Sequence, residues 1–199
     1  MRLGMVVDTK RCTGCHTCSV ACKVANNLPN HIWWNRVVAV GPEGTFPDNT
    51  KHFLTVNCQH CENPPCVAVC PVGATFRRAS DGVIIQNSET CIGCRRCIPV
   101  CPFDARSLND QQLEYYLDHA VGDADAPVHR PNVVEKCTFC SHRLARGEKP
   151  ACMELCIGRG RFWGDLDDPR SEVSIAMRGR ESFRLHEETG VRPKVYFLK

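Results

Sequence analysis

Cysteine is the residue type whose spacing in this sequence most directly indicates chemistry. The 199 residues include 16 cysteines, which fall into four groups of four with none left over. Each group begins with C-x2-C and ends with C-x3-C, so the pattern is an internal repeat. Four complete thiol quartets indicate bound metal. The groups, in chain order, are Cys12, Cys15, Cys18 and Cys22; Cys58, Cys61, Cys66 and Cys70; Cys91, Cys94, Cys97 and Cys101; and Cys137, Cys140, Cys152 and Cys156.

The spacing also predicts which cysteines share a site. The thiolates of a C-x2-C-x2-C loop can hold three corners of one iron–sulfur cube, whereas the cysteine after three further residues points away and ligates a neighbouring cube. The second and third groups lie close together and both end in Cys-Pro, so we pair them, and the first group pairs with the fourth. The exchange predicts four [4Fe–4S] sites: site 1 (Cys12, Cys15, Cys18 and Cys156), site 2 (Cys22, Cys137, Cys140 and Cys152), site 3 (Cys58, Cys61, Cys66 and Cys101) and site 4 (Cys70, Cys91, Cys94 and Cys97).

Two other uses of so many cysteines are less favoured. Structural zinc is usually held by two C-x2-C pairs, which leaves the third and fourth thiols of C-x2-C-x2-C-x3-C-P without a role. A disulfide framework would join cysteines that are too close in sequence, and it normally accompanies secretion. No apolar stretch of signal-peptide length precedes Cys12, and no run is long enough for a membrane helix. A zinc-structured interaction module stays as the alternative from a different class.

Short apolar runs before each group predict the elements that position the cysteines. We expect strands over residues 5–10, 53–57, 82–86 and 132–136, and VYFL near the C-terminus predicts a last strand. Short helical turns are expected after the loops. The predicted fold class is α+β, with two bacterial-ferredoxin-like two-cluster modules, one inserted in the other, and long loops. Its parts are an outer module (1–50 plus 131–165), an inserted module (51–106), an acidic insertion (107–130) and a C-terminal tail that docks on the modules or on a partner (166–199).

The predicted helical turns cover residues 19–27 and 67–73.

Only 7% of the residues are aromatic, so an apolar core alone would be thin, and crossed ligation would compensate by joining distant segments. The formal net charge of +3 is close to balance and gives no reason to expect nucleic-acid binding. No acid–base pair or nucleophile is identifiable, so we expect no catalytic residues in this chain.

Several stretches resemble the iron–sulfur subunits of molybdopterin oxidoreductases, with dimethyl sulfoxide reductase and polysulfide reductase as the nearest types. These stretches are CENPPC, CIGCRRC, KCTFC and FWGDLDDP, together with the four-quartet pattern, and the resemblance covers nearly the whole chain. It implies an electron-transfer subunit that docks on a large catalytic subunit with a molybdenum or tungsten bis-pterin cofactor, often beside a membrane subunit that exchanges electrons with quinone.

The resemblance also implies an order for the sites. Site 1 matches the position nearest the catalytic subunit, sites 2 and 3 follow, and site 4 matches the distal position. Some relatives lack the cysteine equivalent to Cys94 and carry a three-iron cluster there, so the presence of Cys94 implies four four-iron cubes. Ile157 stands where relatives usually have proline, and the 107–130 insertion is longer than in the nearest types. These departures lie outside the predicted ligands and concern the docking surface.

The expected function is therefore electron relay by a non-catalytic subunit. The alternative is a polyferredoxin-type subunit of another redox complex, such as a hydrogenase. Relatives are usually exported with their catalytic subunit, which favours a membrane-associated complex on the outer face, although the cytoplasmic side stays open. The sequence gives neither the substrate of the catalytic partner nor the direction of electron flow.

Overall fold

Short strands and short helices joined by long loops make up the computed structural model, which describes all residues from Met1 to Lys199. The ten strands are β1 (Leu3–Asp8), β2 (Asn35–Glu43), β3 (Thr50–Asn57), β4 (Thr75–Arg77), β5 (Ile84–Gln86), β6 (Ser107–Leu108), β7 (Val134–Glu135), β8 (Arg161–Asp165), β9 (Ser182–Phe183) and β10 (Val195–Leu198). The five helices are α1 (Thr17–Ala25), α2 (Pro65–Ala68), α3 (Ser141–Ala145), α4 (Ala151–Glu154) and α5 (Glu172–Met177), and a 3-10 turn spans Glu187–Thr189. This small mixed α/β fold agrees with the predicted class.

A four-stranded sheet in the order β8-β1-β10-β9 joins the two ends of the chain. β1 pairs in parallel with β10 and antiparallel with β8. All six residues of β1 are buried because the sheet is covered on both faces. Met5 and Val7 face the main core, whereas Val6 packs with Val173 of α5 and Leu198 of β10. The alternation is the two-residue period of a strand, and it fixes the C-terminal tail onto the N-terminal strand.

Three two-stranded ribbons, β2–β3, β4–β5 and β6–β7, complete the strand pairing. β2–β3 is the longest, and its far end, around Phe46, is exposed. The main core contains 16 buried residues, and five of them are cysteines: Cys18, Cys22, Cys58, Cys137 and Cys152. The thiols are therefore part of the core and not an addition to its surface.

The predicted strands fall on β1, β3, β5, β7 and β10. The helical turn predicted for residues 67–73 is wrong in its bounds, because α2 starts at Pro65 and ends at Ala68. Proline suits the first turn of a helix, and Pro71 disfavours helical backbone at the residue before it. β8 was not predicted, since its residues follow a basic, glycine-containing loop and include Gly164.

The 107–130 segment lies against the loop that follows α1. The backbone N–H of Asn30 donates to the Glu114 carbonyl at 2.9 Å, and the Val121 N–H donates to Asn27 Oδ1 at 3.2 Å. Asp123, one of its acidic residues, binds His142 and Arg143. None of the helices has both the length and the apolar character required to cross a bilayer.

Candidate metal centres

Three cavities are each lined by four cysteines from separated parts of the chain. The first is lined by Cys12 and Cys15 from the loop before α1, by Cys18 in the first turn of α1 and by Cys156 from the segment after α4. The second and third are lined by the following thiols, respectively: Cys58, Cys61, Cys66 and Cys101; and Cys70, Cys91, Cys94 and Cys97. These sets coincide with the thiols that the spacing groups as sites 1, 3 and 4.

The remaining four thiols are all buried. Cys22 lies on α1, Cys137 and Cys140 lie between β7 and α3, and Cys152 lies on α4. Burial raises the pKa of the Cys22 thiol, and repulsion from Cys137, Cys140 and Cys152 raises it further, so the four sulfur atoms are close enough to interact. They are the thiols that the spacing groups as site 2.

The four C-x2-C loops share one backbone feature. The residue just before the second cysteine has a positive φ in each loop: 70° at Gly14, 46° at His60, 66° at Gly93 and 61° at Phe139. A left-handed residue at this position reverses the chain and turns both cysteines towards one centre. The repeat seen in the spacing is thus also a repeat of conformation, and it includes two non-glycine residues, His60 and Phe139, that the spacing alone did not identify.

His60 is held in place by the fold. Its ring is buried, and Nδ1 accepts the backbone N–H of Ile84 at 3.2 Å. Burial lowers the pKa of His60 well below its usual value, and the nearby charge of Lys136 lowers it further. A neutral ring packed edge-on against Phe139 agrees with a supporting role beside a complete set of thiols.

Backbone amides also reach the sulfur atoms. The N–H of Thr75 donates to Cys70 Sγ at 3.4 Å, and the N–H of Phe139 donates to Cys137 Sγ at 3.4 Å. Hydrogen bonds to sulfur stabilise negative charge on a thiolate-ligated group and shift its reduction potential upwards. The loops therefore supply dipoles as well as ligands.

Comparison with known proteins decides the family. The model of the 4Fe–4S dicluster domain matches residues 50–116. The chain is 41% identical to a Halobacterium salinarum protein provisionally named as a dimethyl sulfoxide reductase iron–sulfur subunit, over 98% of this chain and 78% of that protein. It is 36% identical to the arsenate respiratory reductase iron–sulfur subunit ArrB of Shewanella sp., over 100% of this chain and 97% of the relative. Identity to a subunit of the tetrathionate reductase of Salmonella typhimurium is 37%, over 99% of this chain and 72% of the relative.

The chain belongs to this family of reductase iron–sulfur subunits. Relatives with different named substrates match over nearly the whole chain, so the expected resemblance to the dimethyl sulfoxide reductase type is confirmed at the level of the family. [4Fe–4S] clusters are the cofactors of this iron–sulfur subunit, as the dicluster domain and the 16 cysteines indicate.

The thiols of the iron–sulfur subunit fit such clusters electrostatically. Burial raises the pKa of Cys61 to about 12, and repulsion from Cys58, Cys66 and Cys101 adds to the effect. Burial likewise raises the pKa of Cys140 to about 12, with repulsion from Cys152. Four thiolates this close would repel one another strongly, so the arrangement requires a positively charged group in their midst, and iron supplies it.

Proposed function

We propose that this iron–sulfur subunit binds four [4Fe–4S] clusters at sites 1 to 4 and relays electrons between a large molybdopterin-containing catalytic subunit and a redox partner. The observation that carries the proposal is the crossing of the thiol sets. Each of three cavities takes three cysteines from one sequence group and one from another. When bound, a [4Fe–4S] cluster accepts and releases one electron at a time.

The same crossing supports the nested modules. Residues 51–106 contain all eight thiols of sites 3 and 4, whereas the eight thiols of sites 1 and 2 lie in residues 1–50 and 131–165. Each module therefore holds two sites with its own cysteines, and the inserted module lies between the two halves of the outer one. We assign residues 107–130 to an insertion between the modules and residues 166–199 to a tail that returns to β1.

Electrostatic interactions between thiols of different sites support a linear order of the sites. Cys152 of site 2 interacts electrostatically with Cys18 of site 1. Cys137 of site 2 interacts with Cys58 of site 3, and Cys97 of site 4 interacts with Cys66 of site 3. The neighbours are thus sites 1 and 2, 2 and 3, and 3 and 4. Such a row lets electrons move from one end of the subunit to the other in single steps.

The two ends of the row are the accessible ones. Cys15 of site 1 and Cys94 of site 4 are exposed, whereas all four thiols of site 2 are buried. Two exposed ends suit a subunit that receives electrons from one partner and passes them to another. By family resemblance, site 1 faces the catalytic subunit and site 4 faces a quinone-linked membrane subunit, with the complex on the outer face of the membrane.

The experiment is an anaerobic purification from the native host, with Fe, Zn, Mo and W measured in one sample. About 16 Fe for this chain, with additional Fe assigned to any partner, and Mo or W on a co-purifying large polypeptide are expected, because four cubes hold four irons each. Iron without Mo or W would assign the subunit to another redox complex, such as a hydrogenase, or to a polyferredoxin. Zinc in place of iron would overturn electron relay altogether.

A further inference from the structure

Arg106 is a buried cation between two thiol sets. Only 4% of the residue is exposed, and it lines the cavity that contains the thiols of site 3. Its guanidinium interacts with the sulfur of Cys66 in site 3 and with that of Cys97 in site 4. Nη1 donates to Thr75 Oγ1 at 3.2 Å, whereas Nη2 is buried without a hydrogen-bond partner.

Arg161 has the same relation to the other two sites. The residue is 6% exposed and lines the cavity of site 1. It interacts with Cys18 and Cys156 of site 1 and with Cys152 of site 2. Asn35 Oδ1 and Asn57 Oδ1 each accept a guanidinium N–H at 3.3 Å, whereas Nε has no partner.

The two arginines occupy equivalent places in the internal repeat. Arg106 is the fifth residue after Cys101, the last cysteine of the third group, and Arg161 is the fifth residue after Cys156, the last cysteine of the fourth group. Cys101 is a thiol of site 3, and Arg106 interacts with thiols of sites 3 and 4. Cys156 is a thiol of site 1, and Arg161 interacts with thiols of sites 1 and 2. The C-x4-R spacing thus puts one buried cation at the junction within each module.

Neither arginine has a carboxylate partner, in contrast to Arg36, Arg78 and Arg143, which pair with aspartates. A buried charge without a counter-ion is strongly destabilising, so each guanidinium requires negative charge nearby. The thiolates and the groups that they hold are the source of negative charge beside both arginines. The orphaned Nη2 of Arg106 and Nε of Arg161 are the donors that this charge would satisfy.

We propose that Arg106 and Arg161 are a matched pair of potential-setting residues, each of which raises the reduction potentials of the two clusters that flank it. The proposal rests on the ligand sets of sites 1 to 4. A thiolate-ligated cube gains negative charge when it is reduced, so a fixed cation stabilises the reduced form. Exposed cations such as Arg95 and Arg96 near site 4 are screened by water and act more weakly.

Two positions with the same role make a selective test possible. We would replace each arginine by glutamine, which removes the charge and keeps hydrogen-bonding capacity, and by lysine, which keeps the charge. The exposed Arg170 gives the control substitution Arg170→Gln. Each full-length variant is purified anaerobically in its native complex, its iron is counted, and all four midpoint potentials are measured by redox titration monitored by electron paramagnetic resonance.

Arg106→Gln is expected to lower the potentials of sites 3 and 4 and leave those of sites 1 and 2 unchanged. Arg161→Gln should give the reverse pattern. Arg106→Lys and Arg161→Lys should shift the potentials of the same sites by less than half as much as the glutamine variants do. Arg170→Gln should shift no potential. Loss of the flanking clusters in a glutamine variant but not in its lysine counterpart also supports the proposal, because the charge is then needed to hold them.

Four intact clusters with unmoved potentials in the glutamine variants would overturn the proposal. Equal shifts in the lysine and glutamine variants, or loss of clusters in both, would assign the arginines a packing role instead. Failure of the proposed function itself would be distinguishable, because the unaltered protein would then lack the expected iron.

Discussion

At the scale of single residues, exposure separates thiols that share the same chemistry. Cys15 and Cys94 are exposed, and the other 14 cysteines are partly or fully buried. They are the second cysteines of the first and third groups, whereas the second cysteines of the other two groups, Cys61 and Cys140, are buried. An exposed thiolate holds the iron that water reaches most easily, and it is therefore the ligand whose loss the rest of a site tolerates best.

We expect Cys94→Ser to convert the site 4 cluster from a four-iron to a three-iron form. The variant should lose about one of 16 irons, since each thiolate of a cube binds one iron. It should also gain an electron paramagnetic resonance signal in the oxidised state. Ile92→Ser, 64% exposed in the same loop, is the matched control and should retain all its iron. An unchanged iron count in Cys94→Ser would remove Cys94 from the ligand set.

Lys194 is a buried cation next to the loop of site 3, where its backbone N–H donates to the Gln59 carbonyl at 3.0 Å, and it makes stability depend on pH. It is 1% exposed, and its Nζ donates to the Gly82 carbonyl at 2.6 Å. Burial, and then the nearby Arg77, lower the pKa of Lys194 to about 8 from its usual value of 10.5. Protonation is thus favoured more in the unfolded chain, so this group destabilises the fold fully below pH 8. Its destabilising effect declines as the pH rises above about 8, and it is lost only above the usual pKa of 10.5.

Lys194→Met should therefore stabilise the protein at pH 7, by about 1–2 kcal/mol after loss of the hydrogen bond to Gly82. The gain should shrink between pH 8 and pH 10, because the folded lysine is already neutral there and the cost of removing the proton from the unfolded lysine falls as the pH nears its usual pKa of 10.5. Anaerobic guanidinium unfolding followed by tryptophan fluorescence at pH 7, 8, 9 and 10 measures the difference. Lys199→Met, at an exposed ion pair, should give no comparable pH dependence. A gain that does not vary with pH would contradict the depressed pKa.

At the scale of elements, the left-handed loop residues differ in how much space surrounds them. Gly93 and Gly73 have nearly the same φ, 66° and 64°. A Cβ on Gly93 would lie 2.1 Å from the backbone oxygen of Asn132, whereas a Cβ on Gly73 would meet nothing within 4 Å. A comparison of alanine substitutions at Gly93 and Gly73 therefore separates the cost of a strained backbone from the cost of a steric clash with Asn132.

Gly93→Ala should abolish iron binding at site 4, because the loop must move off Asn132 to fit the new methyl group. Gly73→Ala should keep all the iron and lower the free energy of unfolding by about 1–2 kcal/mol, the cost of a left-handed alanine. Iron content and the unfolding midpoint, measured on both variants, distinguish the two effects. Equal iron retention would mean that the segment around Asn132 yields to the loop.

The strands and the thiol sites also show which features of the fold could be predicted from the sequence. Strands such as β1 and β10 could be predicted because apolar runs are local signals, and the regular spacing of the cysteines indicated which thiols would share a site. The parallel pairing of β1 with β10 joins residues nearly the whole chain apart, so no local pattern contained it. Arg106 and Arg161 were missed because a charged residue is normally exposed, and only the site around it makes its burial favourable.

At the scale of the whole molecule, two kinds of link hold distant parts of the chain together. The crossed thiol sets join the first group to the fourth and the second to the third, and the sheet joins β1 to β10. The main core takes five of its 16 residues from cysteine, whereas the smaller core under α5 consists of Val6, Val173 and Leu198. The links through the thiol sets depend on metal, and the link through the sheet depends on apolar burial.

Removal of iron should therefore unfold the molecule unevenly. After anaerobic chelation, backbone amides in residues 12–22, 58–70 and 91–101 should lose protection from hydrogen exchange, because neutral thiols supply no bond between distant segments. Amides of β1, β10 and α5 should keep more of theirs, since apolar side chains pack on that face of the sheet. Hydrogen exchange read by mass spectrometry compares the loaded chain, the chelated chain and a chain reloaded with iron and sulfide, which should recover the loaded pattern. Slow exchange of the thiol loops in the chelated chain would mean that the loops fold without metal. Complete loss of protection in β1 and β10 would mean that the sheet, too, depends on the sites.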